Sequence, residues 1–230
     1  MACLLCIETS GATCSAAVWR DGKALFSRAD RTSGHADSLG AFVDEALSYV
    51  EGHRLSLDGV AVSGGPGSYT GLRIGVSMAK GICYGKDISL VAVPTLALMA
   101  AEAVEQLPQS AANALLCPMI DARRMEVYAA VYDTQLNQIR DVHNDIVDDT
   151  TYRSLLDDGQ VYFFGSGAAK CSTVICHPNA VFLNNIEPLA EHMGPLADRL
   201  LAAGKTVDVA YYTPFYLKPY IAGKSKKALG

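Results

Sequence analysis

The sequence predicts an α/β protein of two tandem lobes, each a mixed sheet flanked by helices. Three observations carry this. Residues 3–104 alternate in the order β-β-β-α-β-α-β-α. From Leu115 the opening pattern returns: an apolar strand, an acidic residue, then Glu126-Val-Tyr-Ala-Ala-Val-Tyr132 where the start has Cys14-Ser-Ala-Ala-Val-Trp19. Between them, Ser63–Gly85 passes from a short apolar run through a glycine-rich turn into a helical pattern.

Cys3–Ile7 is an apolar run of strand length, and Glu8-Thr-Ser-Gly11 is a turn. Cys14–Trp19 is a second strand. Asp21-Gly22 signals a hairpin into a third at Ala24–Ser27. Ser33 is the expected cap of a helix over about 34–51. Ala36, Leu39, Phe42, Val43, Ala46, Leu47 and Val50 line one face of it, and Gly52 stops it. Val60–Ser63 is a strand, residues 70–84 a helix and Ile88–Val93 a strand. A helix starts at Pro94-Thr95 and ends before Pro108.

Gln109–Ala114 is small and polar, which places the expected boundary between lobes 1–108 and 109–230. Leu115–Ile120, Glu126–Tyr132 and Ile139–Val142 repeat the meander. Val161–Phe164 is a later strand, Gly165-Ser-Gly-Ala168 a second glycine turn, and Pro188–Ala203 a helix. The tail from Val207 is aromatic and proline-rich, then basic at Lys224, Lys226 and Lys227.

Composition narrows the function classes. Half of the 230 residues are hydrophobic, enough for a sizeable core. No run of about 18 uncharged apolar residues occurs, so no membrane helix is expected. No basic segment precedes the first apolar stretch and Glu8 interrupts it, so a cytoplasmic location is expected. The formal net charge of −5 argues against broad, unassisted nucleic-acid binding. The seven cysteines are odd in number and mostly sit in apolar runs, as reduced core thiols do. Cys3 and Cys6 form C-x-x-C, but on a strand they face opposite ways. No metal is expected there.

The glycine-rich stretch is neither a G-K-[ST] phosphate loop nor a dinucleotide fingerprint. Ser68 sits in G-S-x-x-G, not in the G-x-S-x-G of a nucleophile elbow, so it is read as a helix cap. Gly71, Gly75 and Ala79 recur every four residues and form one small-residue ridge. Each helical glycine costs about 1 kcal/mol against alanine. Two in succession imply that something approaches this face closely.

Two tandem β-β-β-α-β-α halves, each with an acid after its first strand, resemble the ribonuclease-H-like, actin-like ATPase superfamily. Within it, Ile7-Glu-Thr-Ser10, Gly64-Gly-Pro-Gly-Ser-Tyr-Thr-Gly-Leu-Arg-Ile-Gly75 and Met119-Ile-Asp-Ala-Arg-Arg-Met-Glu-Val-Tyr128 resemble the TsaB family. Pro214-Phe-Tyr-Leu-Lys218 also looks like that family's end. These are bacterial dimerisation subunits of the tRNA threonylcarbamoyladenosine machinery, under older labels "glycoprotease".

The resemblance implies a subunit without catalytic residues, metal or cofactor of its own. It pairs with the catalytic homologue TsaD, the ATPase TsaE joins, and tRNA is met indirectly through the complex. A homodimer is an alternative for the isolated chain. The TsaD-like H-x-x-x-H metal pair is missing from Val93-Pro-Thr-Leu-Ala-Leu-Met-Ala-Ala101. The expected partner surface is Leu39, Phe42, Val43, Ala46, Gly71, Gly75 and Ala79, the alternative being that the ridge packs on the chain's own sheet. Glu8, Thr9, Ser10, Asp121, Gly165 and Gly167 stand where superfamily ATPases hold nucleotide and magnesium. Against that, Glu8 and the glycine turn read as local turn residues. A stand-alone ATPase or kinase of the same fold is the competing function, and a peptidase the weakest.

Overall fold

The computed structural model describes residues 2–32 and 34–218. The proposed cap Ser33 and the lysines at 224, 226 and 227 lie outside the described residues. The chain runs β1 (Leu4–Glu8), β2 (Cys14–Arg20), β3 (Lys23–Asp30), α1 (His35–Gly52), β4 (Gly59–Gly65), α2 (Tyr69–Lys86), β5 (Ser89–Pro94) and α3 (Thr95–Gln106). Then come β6 (Leu115–Asp121), β7 (Glu126–Tyr132), β8 (Gln138–Ile146), α4 (Arg153–Asp158), β9 (Val161–Phe164), α5 (Ala168–Cys171), β10 (Ala180–Phe182) and α6 (Gly194–Ala202).

Two five-stranded sheets share one order, β3-β2-β1-β4-β5 and β8-β7-β6-β9-β10. β1 runs antiparallel to β2 and parallel to β4. β6 does the same between β7 and β9. Leu4–Ile7 and Leu115–Ile120 thus occupy matching central strands. This is the expected α/β fold of two ribonuclease-H-like lobes. The central strands are buried on both faces, so they read as unbroken apolar runs. Cys3 belongs to the core on one face of the first sheet and Cys6 to the core on the other. Cys176 alone among the cysteines is exposed, against expectation.

The packing exchanges helices between the lobes. Leu96, Met99, Ala100 and Ala103 of α3 pack with Leu116, Ala130, Tyr132 and Phe164 of the second sheet. In return, Ala197 of α6, with Ala190 and Met193 just before it, packs on Leu4, Ala17, Trp19 and Val91 of the first sheet. Each helix thus comes from one half of the chain and covers the sheet of the other.

Several elements differ from expectation, among them the four-residue α5, which follows the second glycine turn. The helix expected from Pro188 begins only at Gly194. Before it, Ala190–His192 forms a short 3-10 turn, and Pro195 fits the first helical turn, where no N–H is needed. α4 and β10 have six and three residues, too short for a periodic signal.

Candidate functional site

The glycine-rich stretch is built around the turn that follows β1. Thr9 Oγ1 donates to Gly71 O at 2.8 Å, and Ser68 N–H donates to Ser10 O at 2.8 Å. A Cβ on Gly71 would lie 2.0 Å from Thr9 O, and one on Gly75 2.3 Å from Thr9 Oγ1. Gly67 meets Ser10 in the same way. The close approach inferred from the ridge is therefore made by the chain's own Thr9, backbone at Gly71 and side chain at Gly75. Ser68 caps α2, its Oγ accepting from Gly71 N–H at 3.2 Å.

This corrects the expected partner surface. Leu39, Val43, Ala46 and Ala79 belong to the buried core of the first lobe, Phe42 packs half-buried against it, and Gly71 and Gly75 are buried on Thr9. The helical spacing marked the inward faces of α1 and α2. Their outward faces carry Gly40, Ala41, Asp44, Glu45 and Ser48 on α1, and Arg73, Ser77, Gly81, Tyr84 and Gly85 on α2. Ser77, Gly81 and Gly85 form a second small-residue ridge, open to solvent, with nothing within 4 Å of a Cβ placed at Gly81 or Gly85. Tyr84 beside it is 86% exposed.

Between the lobes lies a cleft of about 820 Å³. One wall is Ser10–Ala12 and Pro66–Tyr69, where α2 begins. The other is Ile120–Arg124, Glu126, Tyr128 and Ser166. The C-terminal segment Phe215–Lys218 crosses it. Phe215 N–H donates to Gly64 O at 2.8 Å, the Tyr216 ring sits 4.7 Å from that of Tyr69, and Lys218 pairs with Glu126 of the second lobe. Gly65, at φ +101°, lies directly beneath Phe215 O, where a side chain would collide.

Of the nucleotide-site candidates, Ser10 and Asp121 line this cleft. Glu8 and Thr9 do not: both are fully buried behind it. Gly165 packs on Met99 and Met119, and Gly167 on Val127 and Ile120, so only Ser166 of that turn faces the cleft. Asp121 pairs with Lys170, which holds its carboxyl below the usual range. The Lys218 bond does the same for Glu126. The sequence reading missed Arg123, Arg124, Tyr128 and Tyr216 as cleft residues. Arg123, Arg124 and Tyr128 sit inside a motif already singled out, and Tyr216 inside Pro214–Lys218.

Glu8 accepts from Ser10 N–H, as a turn residue does. Burial pushes its pKa up from 4.5 to about 7, against hydrogen bonds from Ser10, Ser63 and Gly11. Glu102 is also raised to about 7, first by burial and also by Glu187, Glu105 and Glu191, against a hydrogen bond from the Glu187 backbone. A carboxyl raised on folding contributes stability that is complete below its unfolded pKa. That contribution is lost as pH rises through the folded value. The chain is therefore expected to resist urea less at about pH 8 than at about pH 5.5. Glu8→Gln should narrow the gap, by up to about 2 kcal/mol. Urea midpoints of both proteins at the two pH values test this; an unchanged gap would contradict it.

Comparison with known proteins agrees with this fold. Residues 30–212 match the family described as "TsaD: tRNA N6-adenosine threonylcarbamoyltransferase". The tRNA threonylcarbamoyladenosine biosynthesis protein TsaB of Escherichia coli (strain K12) is 31% identical over 235 residues, covering 96% of each chain. TsaB of Haemophilus influenzae is 34% identical over 127 residues, 54% of this chain and 51% of its own. A Pseudomonas aeruginosa crystal structure, described as an uncharacterized protein with similarity to peptidase YEAZ, superposes with a TM-score of 0.79. It is 25% identical and covers 95% of this chain and 100% of its own. The chain belongs to the TsaB family of tRNA threonylcarbamoyladenosine biosynthesis proteins.

Proposed function

We propose that the chain is the non-catalytic dimerisation subunit of a cytoplasmic tRNA N6-threonylcarbamoyladenosine transferase complex. It pairs with the catalytic homologue TsaD through the outward faces of α1 and α2, and the ATPase TsaE joins the pair. The tRNA is engaged through the complex.

The observation that carries this reading is the start of α3. There the resembling transferases place their metal-binding histidine pair. In this chain the same turns supply Leu96, Leu98, Met99 and Ala100, each at most 1% exposed and packed between the two sheets. Two imidazoles and a hydrated ion do not fit an apolar seam of this kind. The carboxylates of the cleft are tied up as well, Asp121 by Lys170 and Glu126 by Lys218. The Ser68 hydroxyl caps α2 rather than facing a base, which disfavours a peptidase.

The open ridge Ser77, Gly81 and Gly85 supports α2 as the contact element, since small residues let a partner helix approach and add dispersion contacts along its length. Co-purification of the tagged chain with TsaD tests the proposal. Retention of TsaD is expected, with loss when Gly81 is replaced by leucine.

A further inference from the structure

We propose that the cleft between the lobes takes a single-stranded RNA segment, with phosphates on Arg123 and Arg124 and bases against Tyr69, Tyr128 and Tyr216. The choice of RNA as the polymer rests on the function proposed above. The chemistry of the site comes from the cleft itself.

The cleft is lined by Asp121, Arg123, Arg124, Glu126 and Lys218. Lys170 pairs with Asp121, and Lys218 with Glu126. Arg123 and Arg124 are exposed, and neither makes an ion pair among the described residues. Counting both ion pairs, the charged groups of this concave space sum to two positive charges, with Arg123 attracted to Asp121 and Arg124 to Glu126 as well, in a chain whose net charge is −5. The opposite wall is the start of α2, an 18-residue helix whose positive end opens on the same space.

The cleft is also lined by aromatic rings. Tyr69 from α2, Tyr128 from β7 and Tyr216 from the C-terminal segment are each half-buried on the cleft wall. Rings from three separate segments, in a cleft that also holds the Arg123 and Arg124 guanidinium groups, are what unpaired bases stack on, whereas the paired bases of a duplex hide their faces. A magnesium-bound triphosphate is a poorer match. Both lining carboxylates are already neutralised by lysines, and Glu8 is sealed behind the wall.

The test is fluorescence anisotropy of the full chain with a labelled unstructured oligoribonucleotide of about eight nucleotides, across a range of salt. Two phosphate contacts on a single strand give a log–log salt slope of about −1.4. Arg123→Asn with Arg124→Asn should weaken binding at least about tenfold and flatten that slope. Asparagine is chosen because both positions have left-handed backbone, φ 69° and 46°, which it tolerates. Tyr128→Ala should weaken binding and leave the slope unchanged. Absence of binding by the parent chain would overturn the inference, as would unchanged binding by the arginine variant. Displacement of the oligonucleotide by AMP at equal concentration would also overturn it, by showing a single-nucleotide site. Co-purification with TsaD is read separately, so loss of RNA binding with pairing intact refutes this inference alone.

Discussion

Gly71→Ala is expected to destabilise the chain by about 3 kcal/mol or more, lowering Tm by about 6–12 °C. On an exposed helix the same change would stabilise by about 1 kcal/mol. Here the added methyl would lie 2.0 Å from the carbonyl oxygen of Thr9. That atom is backbone, and it follows β1, which is paired on both sides. It cannot swing away as a side-chain tip would. Either α2 lifts from the sheet or the turn after β1 is displaced, and both open the core that contains Ile7, Val62 and Val76. Gly75→Leu meets Thr9 Oγ1 and should also destabilise, and it should still pair with TsaD if it remains folded. A Gly71→Ala protein with unchanged Tm would show that the ridge does not sit on Thr9.

Gly194→Val should cost about as much, through the other lobe. A Cβ at Gly194 would stand 1.9 Å from Trp19 Cδ2 and 2.3 Å from Cγ, at the root of the indole rather than its edge. Trp19 is held in β2 between β1 and β3, so the ring cannot retreat. The substitution therefore prises α6 away from the first sheet. A loss of about 3 kcal/mol is expected. The single tryptophan reports it directly, because its environment becomes wetter as the helix lifts. In a Trp19→Leu background the same substitution should be milder, with a coupling of about 1 kcal/mol or more between the two sites. Additive effects would mean that α6 does not dock on this ring.

Much of the fold was legible because it rests on local signals. The strand β1 announces itself by an apolar run, the β2–β3 hairpin by Asp21-Gly22, and the second lobe by repetition of the first. Periodicity also found the small ridge on α2. It could not say what covers that ridge, since a helix next to its own sheet and a helix next to a partner look alike in sequence. Thr9 lies 62 residues from Gly71, and no local pattern links them. The same limit hid the cleft. Lys218 meets Glu126 across 92 residues, and Tyr216 meets Tyr69 across the cleft. The exchange of α3 and α6 between the sheets is likewise invisible to any reading of consecutive elements. Glu8, expected in the turn, is instead the last residue of β1, and its carboxylate accepts the Ser10 N–H two residues on.

We propose that the outward, not the inward, face of α2 is where this chain binds its partner. Gly81 has open space around it, so leucine there should leave Tm unchanged or raise it, since glycine is the weaker helix former. The most direct measurement is co-purification of tagged parent and Gly81→Leu chains with TsaD, alongside their melting temperatures. The expected result is that the parent retains TsaD, while the Gly81→Leu chain is folded and stable and does not. A parent chain that fails to retain TsaD, or a Gly81→Leu chain that retains it equally well, would contradict the account.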